Sequence, residues 1–382
     1  MIYLDNAATS FPKPACVIKE IDRCLNEYCA NPGRGGHVLS VKAGLAVTQV
    51  REMVCRLFNI PDPMSLALTK NATEALNIAI KGVIEPGCHV ITSSMEHNAV
   101  TRPLKTLERD LGIAVTTVAG NEYGEIDPED IKKEIRSNTR LIICTLSSNV
   151  NGIIMPVPEI GWIAREAGIA FLLDASQGAG SIPVDVMAQN IDMLAFPGHK
   201  GLMGPQGTGG LYVREGLRLR SLMEGGTGSN SEDPYQPGFM PDLLESGTLN
   251  TPGIVGLGAA AGYVGAVGTE RIRIYKHMLV NMLSEGLSVI PGIKLYSLNS
   301  ISRNSGIVAI NLKDMDSVEL SYMLDKDFGI CTRAGLHCSP SAHRKLGTLN
   351  RGIVRFSAGY FNTASDIIRT IDAVDKISRK IF

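Results

Sequence analysis

The sequence predicts an α/β fold, with a mostly parallel β-sheet in a large domain and a smaller α+β domain after it. Short apolar runs alternate with amphipathic segments from about residue 65 to residue 213, and this alternation is typical of βαβ units. A long helical stretch that begins at "NTPGIVGLGAAAGYVGAVG" leads to a second set of strands and helices. The length of 382 residues also favours two domains, because single cores rarely grow that large.

In the first part of the chain, each apolar run predicts a strand that ends at polar or small residues. The runs, each with its neighbouring segment in chain order, are "SLALT" with "NATEALNIAIKGV", "HVITSS" with "MEHNAVTRPLKTLERDLG", "LIICTL" with "SSNVNG", "EIGWIAREAG" with "IAFLLDASQ", and "IDMLAF" with "PGHKG".

In the second part, "GIVAINL" and "GIVRFSAGY" predict strands, and "SVELSYMLDKD" and "ASDIIRTIDAVDKISRKI" predict helices. We therefore predict a large domain over residues 15–257 and a small domain over residues 258–382, joined by the N-terminal segment 1–14. Residues 224–253 are rich in Gly, Pro and Ser. They are too many for an ordinary connection, so we expect this segment to be functional.

Composition favours small-molecule chemistry. The 37 basic and 38 acidic residues give a net charge of -1, and no run of like charge indicates binding to nucleic acid or to a membrane. No segment reaches the roughly 20 apolar residues that a membrane span needs, and "MIYLDNAATSFPKP" contains no basic leader followed by an apolar stretch. The eight cysteines form no C-x-x-C pair, which favours reduced thiols over disulfides or a zinc site. We expect a cytoplasmic protein without a metal.

The candidate site follows from the predicted sheet. Parallel sheets bind ligands outside the carboxyl ends of their strands. The polar or small residues that the sequence places at those ends are Ala72, Thr73, His97, Asn149, Asp174, Gln177, His199 and Lys200.

Together these residue types suit pyridoxal 5′-phosphate. The amine of Lys200 can form a Schiff base with an aldehyde, and the carboxylate of Asp174 can keep a pyridine nitrogen protonated. A neutral ring at His97 can stack on the cofactor. The helix start at "NATE" offers amides and hydroxyls to a phosphate.

Each residue also has a simpler explanation. Lys200 could be a solvated loop lysine, Asp174 a turn cap, His97 a surface residue and Gln177 an exposed turn amide. "NATE" could simply begin a helix. Only the combination of these residues is informative.

A family resemblance rests on an ordered series of motifs. They are "YLDNAAT", "NATEALN", "EHNA", "SNVNG", "DASQ", "GHKGLMGPQGTG", "ESGTLN", "RAGLHC" and "VRFSAGYFN". The series, from Tyr3 to about Asn362, resembles the class V aminotransferase family, whose pyridoxal phosphate enzymes have the aspartate aminotransferase-like fold type I. It is most similar to the branch of cysteine desulfurases and selenocysteine lyases.

The resemblance implies roles at the cofactor. Lys200 would form the Schiff base, Asp174 would pair with the pyridine nitrogen and His97 would stack on the ring. Gln177 and Asn149 would bind the phenolic oxygen, with Asn149 also near the substrate. Around the phosphate it implies Ala72, Thr73 and His199, with Thr248 reaching the phosphate of the partner subunit in a homodimer.

The segment "CTRAGLHCSPSAH" selects the reaction. The resemblance implies that Cys338 takes sulfur from L-cysteine as a persulfide and leaves L-alanine, and that Arg355 grips the substrate carboxylate, with Arg333 nearby. Lowering the pKa of a thiol requires adjacent positive charge, which Arg333, His337 or His343 could supply. His337 could equally be a surface residue, and Cys338 an inert thiol.

The chain departs from the family pattern at three positions. Pro197 replaces a frequent serine that binds the phosphate, Ala72 replaces a frequent hydroxyl residue, and Asn98 replaces a frequent histidine. The sequence leaves open which group binds the phosphate in place of the serine that Pro197 replaces.

Four functions remain possible at this stage. The first is a cysteine desulfurase, with L-cysteine as substrate and a possible sulfur acceptor protein as partner. The second is a selenocysteine lyase that acts on L-selenocysteine and passes selenium to an acceptor. The third is another class V aminotransferase or lyase in which Cys338 is incidental. The fourth is a cofactor-binding regulator or sulfur-carrying scaffold without turnover.

Overall fold

The computed structural model describes residues 1–33 and 35–381; Phe382, the last residue of the predicted small domain, lies outside the described residues. The large domain contains a seven-stranded sheet with strand order β2-β8-β7-β6-β5-β3-β4. Only β8 runs antiparallel to its neighbours, so the prediction of a mostly parallel sheet is confirmed. The strands are β2 (Leu66–Thr69), β3 (His89–Ser93), β4 (Ala114–Val118), β5 (Thr139–Thr145), β6 (Ala170–Asp174), β7 (Met193–Pro197) and β8 (Gly209–Val213).

Helices cover both faces of this sheet, which is why its central strands are continuous apolar runs rather than alternating ones. Along β5, Ile142 packs into the core on one face, while Leu141 and Ile143 pack into the core on the other. The helices of this domain are α1 (Ala15–Glu27), α2 (Val38–Phe58), α3 (Ala72–Val83), α4 (Asn98–Leu111), α5 (Pro128–Lys133), α6 (Val157–Glu166) and α7 (Thr251–Val267).

The second domain has the predicted α+β composition, with a four-stranded antiparallel sheet ordered β12-β13-β10-β9. The N-terminal strand β1 (Ile2–Tyr3) pairs with β11 of this domain, and Leu4 packs in its core. The remaining elements are α8 (Thr269–Ser288), β9 (Ile293–Leu295), β10 (Ile307–Leu312), α9 (Ser317–Phe328), β11 (Ile330–Cys331), β12 (Arg333–Gly335), α10 (Pro340–Lys345), β13 (Ile353–Ser357) and α11 (Ala364–Ile381).

The predicted domain boundary at residue 257 falls inside α7. This helix packs mainly against α1 and α2 of the large domain, while Tyr263 near its end contacts Tyr360 and Phe361. We therefore propose a boundary at Gly268, the residue between α7 and α8. Among the described residues, no single helix is long and apolar enough to cross a membrane; α7 and α8 meet that criterion only as a pair bent by 79°.

The glycine-rich segment 224–253 contains neither strand nor helix before α7 begins, yet it is anchored to the sheet. The buried carboxylate of Glu245 pairs with Arg51 of α2 and accepts a hydrogen bond from the backbone N–H of Leu68 in β2. This anchor fixes the segment beside the edge strand and leaves Thr248 exposed to solvent.

Candidate active site

A cavity opens where β5, β6 and β7 end, at the carboxyl edge of the parallel strands. The sequence placed nine residues around the cofactor, and eight of them line this cavity: Ala72, Thr73, His97, Asn149, Asp174, Gln177, His199 and Lys200. Thr248 does not line it and stays exposed. The structure therefore brings together side chains from five separate turns, as the strand-end argument predicts.

Asp174 ends β6 and is 2% exposed. Its Oδ1 accepts a hydrogen bond of 2.9 Å from the backbone N–H of Ser176, so the residue does cap a turn. That bond uses one carboxylate oxygen only. The cap is therefore compatible with a second role, in which the charge of Asp174 faces the cavity.

Lys200 follows β7 by three residues and lines the cavity. Burial lowers the pKa of its amine to about 8, with Arg355 and Arg333 adding to the shift and Asp174 opposing it. A lysine with this pKa exists in appreciable part as the neutral amine near pH 8, and only that form is a nucleophile or a base. A simple solvated loop lysine would not have this environment.

His97 is the N-cap of α4, where its Nδ1 accepts a hydrogen bond of 3.0 Å from the backbone N–H of Ala99. The proton of the neutral ring therefore belongs on Nε2. Burial lowers the pKa of this histidine, and Lys200 and Arg333 lower it further against the opposing charge of Asp174. The helix cap thus fixes a neutral imidazole at the cavity wall.

The other end of the cavity suits an anion. Ala72 and Thr73 are the first residues of α3, whose N-cap is Asn71; free N–H groups at a helix start attract phosphate. The buried Nδ1 of His199 has no hydrogen-bond partner among the described residues. Burial lowers the pKa of His199 to about 4, so a neutral ring can donate from Nδ1. This atom is our candidate for the phosphate donor that serves in place of a serine at position 197.

Asn149 and Gln177 are partly engaged by neighbouring segments. The Gln177 amide donates to the carbonyl of Ala7 at 3.0 Å. The Asn149 amide donates to the carbonyl of His337 at 2.6 Å and accepts from the hydroxyl of Ser339 at 2.7 Å. Asn149 therefore holds the loop of Cys338 against the cavity, a role that the sequence did not indicate.

The Cys338 loop is held in an unusual conformation. His337 and Cys338 have φ angles of 50° and 58°, a left-handed conformation that costs about 1–2 kcal/mol per non-glycine residue. The backbone N–H of Asn98 donates to the carbonyl of Cys338 at 2.8 Å. Such strain persists only where surrounding contacts enforce it. The loop therefore presents an exposed thiol from a fixed backbone.

Arg333 is the positive group closest to this thiol, with its Nη2 4.0 Å from Sγ of Cys338. His337 and His343 do not supply charge: their rings stack with centroids 5.7 Å apart, and burial lowers the pKa of His337 to about 2 and that of His343 to about 4. His337 is also 3% exposed, so it is not a surface residue. Of the three suggested helpers, only Arg333 is a cation.

Arg355 lies on β13, opposite Arg333 on β12, and is 1% exposed. Its Nη2 donates to Oδ1 of Asp5 at 2.8 Å and its Nη1 donates to the carbonyl of Asn149 at 2.7 Å, while Nε has no partner among the described residues. The sequence did not indicate that Asp5 would occupy this guanidinium. The motif "YLDNAAT" contains Asp5, but only the tertiary fold brings the N-terminus to β13.

If the site carries out the sulfur removal that the sequence motifs imply, Ser339→Ala should slow that reaction without displacing the implied cofactor. The change leaves the buried Asn149 Oδ1 without its donor, at a cost of about 1–3 kcal/mol, and loosens the Cys338 loop. Alanine formation should fall about tenfold, while the absorption of the bound cofactor is unchanged. Ser341→Ala, two residues further on, is the control and should match the wild type. Equal rates for both variants would contradict the proposed clamp.

The site as a whole fits pyridoxal phosphate. Lys200, whose pKa is lowered, suits the aldehyde of this cofactor. The buried carboxylate of Asp174 and the neutral ring of His97 at a helix N-cap suit its pyridine ring. The unpartnered Nδ1 of His199, beside a helix start, suits its phosphate. The fold and the site therefore define a pyridoxal phosphate enzyme. A family model described as aminotransferase class-V matches residues 2–369, and the chain belongs to this family, as the sequence motifs indicated.

Similar proteins match over their full length. A probable cysteine desulfurase of Methanothermobacter thermautotrophicus is 36% identical over 99% of this chain and 94% of its own. A cysteine desulfurase of Pectobacterium atrosepticum is 31% identical, over 99% and 93%. The apo structure of the Thermococcus onnurineus cysteine desulfurase has a TM-score of 0.93 at 31% identity, over 99% and 95% of the two chains. The S-sulfonic acid form of the Escherichia coli cysteine desulfurase CsdA has a TM-score of 0.88 at 26% identity, over 100% and 95%.

Proposed function

We propose that this protein is a pyridoxal phosphate-dependent cysteine desulfurase that converts L-cysteine to L-alanine and leaves a persulfide on Cys338. The single observation that carries the proposal is the exposed Cys338 thiol, held on a strained loop that Asn149 and Asn98 clamp to the cavity. An incidental cysteine would not require this conformation. The full-length similarity to cysteine desulfurases supports the same reaction.

Each residue of the site has a separate role in the proposed reaction. Bound pyridoxal phosphate supplies an electron sink for charge that develops at the substrate Cα. Asp174 would keep its ring nitrogen protonated, and His97 would stack on its ring. Lys200, whose amine has a pKa of about 8, removes the proton from Cα and later returns a proton to the product. Gln177 and Asn149 would hold the phenolic oxygen, and Ala72, Thr73 and His199 would hold the phosphate.

Sulfur transfer uses Cys338 as the nucleophile. Its thiolate attacks the substrate sulfur, the bond between Cβ and sulfur breaks, and the carbon fragment takes up protons to become alanine. The two sulfurs remain as the persulfide, so the sum is L-cysteine plus enzyme thiol giving L-alanine plus enzyme persulfide. The guanidinium of Arg333, with its Nη2 4.0 Å from Sγ, lies beside the attacking sulfur.

Two arginines receive the substrate carboxylate. Two of the guanidinium nitrogens of Arg355 already donate hydrogen bonds to Asp5 and Asn149. For the substrate it therefore keeps its positive charge and the unpartnered Nε. Arg333 has Cys338 as its only side-chain hydrogen-bond partner among the described residues, and it lies opposite Arg355. We propose that the carboxylate binds between the two arginines. Arg333 would then donate the hydrogen bonds that Arg355 cannot, because a donor of Arg355 is already bound to Asp5.

The test is product analysis with both substrates. Purified protein is incubated with L-cysteine or L-selenocysteine, alanine is measured, and the peptide containing Cys338 is weighed by mass spectrometry. A desulfurase forms alanine from cysteine and adds one sulfur to Cys338. A lyase that prefers selenocysteine releases alanine from that substrate alone. A wild-type protein that releases alanine from neither would overturn the proposal in favour of an aminotransferase or a protein without turnover.

We propose that the enzyme is a homodimer. Apolar side chains of α2 stand on one exposed face at helical spacing, with Val38 80%, Val41 53% and Leu45 60% exposed, and a second copy would cover them. Thr248, also exposed, would then reach the cofactor phosphate of the partner subunit. Light scattering should give twice the chain mass of 40.9 kDa, and a fully active monomer would refute both points.

We further propose a cytoplasmic location and a sulfur acceptor protein as partner. All eight cysteines are free, as expected for a reducing compartment. Among the described residues, no group of three or more His, Cys, Asp or Glu side chains is placed to hold a metal ion. A persulfide on an exposed residue is accessible to an incoming thiolate, and this access supports transfer to a second protein.

A further inference from the structure

Glu96 stands directly before His97 and is 0% exposed, yet the proposed mechanism does not use it. Its Oε1 accepts hydrogen bonds from the hydroxyl of Ser93 and, at 2.9 Å, from the backbone N–H of Thr145. Its Oε2 has no partner among the described residues. Both donors are neutral groups, and among the described residues no cation donates a hydrogen bond to this carboxyl. A carboxylate would be poorly satisfied here, because burying a charge requires several donors or a counter-ion.

The neighbourhood contains a second carboxyl. Thr145, which donates to Glu96, is the register partner of Asp174 across β5 and β6, and the backbone N–H of Leu146 donates to the carbonyl of Asp174 at 2.8 Å. Two carboxyl groups in one enclosed site do not both ionise readily. The charge of Asp174 therefore adds to the effect of burial and favours the neutral form of Glu96.

The surroundings of the two carboxyls decide which one holds the proton. Asp174 faces Lys200 and His97 and acts on the pKa of both, so its negative charge has partners in the cavity. Glu96 has none. Burial raises the pKa of Glu96 to about 8; the Ser93 hydrogen bond opposes the shift and the charge of Asp174 adds to it. The other titratable neighbour, the buried Cys144, has a pKa well above its ordinary value and remains a neutral thiol.

We propose that Glu96 is a neutral carboxylic acid at neutral pH, with its proton on Oε2, and that it acts as a positioning residue for the cofactor site. Its Oε1 ties the turn that carries His97 to the end of β5. Its neutrality leaves Asp174 as the carboxylate whose charge acts on Lys200 and His97. The inference rests on the proposed function only in assigning Asp174 to the ring nitrogen; the protonation state can be measured independently of turnover.

The direct test is infrared difference spectroscopy on the purified holoenzyme. Glu96→Gln keeps the shape of a carboxylic acid, with its carbonyl oxygen facing Ser93 and Thr145 and its amide in place of the Oε2 hydroxyl. We expect the spectrum of the wild type at pH 7 to contain a protonated-carboxyl band that Glu96→Gln removes and Asp174→Asn retains. Three results would each overturn the proposal. The band could be lost in Asp174→Asn alone, it could be absent from the wild type, or the Glu96→Gln protein could fail to fold.

A second readout is the absorption of the bound cofactor as a function of pH. Glu96→Gln should follow the wild type at pH 6–7, because the native group is mostly neutral there. Above the pKa of about 8, the wild type should diverge as Glu96 ionises and adds negative charge near the ring, while Glu96→Gln should not. A shifted spectrum of Glu96→Gln at pH 7 would mean that Glu96 is normally an anion.

Glu96→Ala, which leaves the N–H of Thr145 unpaired, should lose cofactor affinity that Glu96→Gln retains. Equal affinities of the two variants for the cofactor would argue against a positioning role of Glu96.

Discussion

Replacing Cys338 with alanine is expected to reduce alanine formation from L-cysteine by about 10³-fold or more, the scale on which loss of an enzyme nucleophile is felt. The cofactor should stay bound with unchanged absorption, because Cys338 does not line the cavity of Lys200 and Asp174. This one substitution should thus abolish turnover and leave cofactor binding intact. The measurement is alanine released per bound cofactor, together with the cofactor spectrum.

The matched control is Cys29→Ala, which removes another exposed thiol and should leave turnover unchanged. Selenium departs more easily than sulfur, so substantial turnover of selenocysteine by Cys338→Ala would favour the lyase. Unchanged turnover of cysteine would show that the loop thiol is incidental, despite its strained backbone.

Replacing Lys200 with alanine should remove the cofactor absorption band that borohydride abolishes in the wild type. The variant loses both the covalent attachment of the cofactor and the amine that moves protons at Cα. General acid–base catalysis alone contributes about 10²–10⁴-fold, so turnover should fall at least by that factor. Absorption spectra before and after borohydride, with the rate of alanine formation, test both losses.

Lys276 provides a stringent control for Lys200. It is a second lysine whose pKa burial lowers to about 8, but its amine donates to the carbonyl of Ser305 at 3.1 Å and does not line the cofactor cavity. Lys276→Ala should therefore retain the band that borohydride abolishes. If the band survives in Lys200→Ala and disappears in Lys276→Ala, the assignment of the cofactor lysine is wrong.

Local sequence patterns predicted much of the fold. Continuous apolar runs such as "LIICTL" and "IAFLL" predicted buried parallel strands, because only a strand covered on both faces is apolar at every position. The same rule placed Asp174, His199 and Lys200 at one edge of the sheet, since parallel strands end together. The antiparallel direction of β8 was not predictable from "GGLYV", because direction depends on the path of the chain and not on the local pattern.

The domain boundary shows a limit of the same reasoning. The stretch at "NTPGIVGLGAAAGYVGAVG" is helical, as predicted, but the sequence did not show that α7 packs mainly on α1 and α2. Its many glycines and alanines give close packing on several sides, so no single apolar face indicates its partners. Packing across the fold therefore decides where one domain ends.

The sequence by itself predicted which residues meet at the strand ends, because a strand end followed by a particular residue type is a local feature. It predicted the positions of Lys200, Asp174 and His97 in this way, and it singled out Cys338 through the resemblance of its motif. Only the tertiary structure showed that Asp5 occupies Arg355, that Ser339 and Asn149 clamp the nucleophile loop, and that His337 and His343 are buried and neutral. These features join residues up to 350 positions apart, and both hydrogen-bond pairing and desolvation depend on the three-dimensional neighbours that folding brings together.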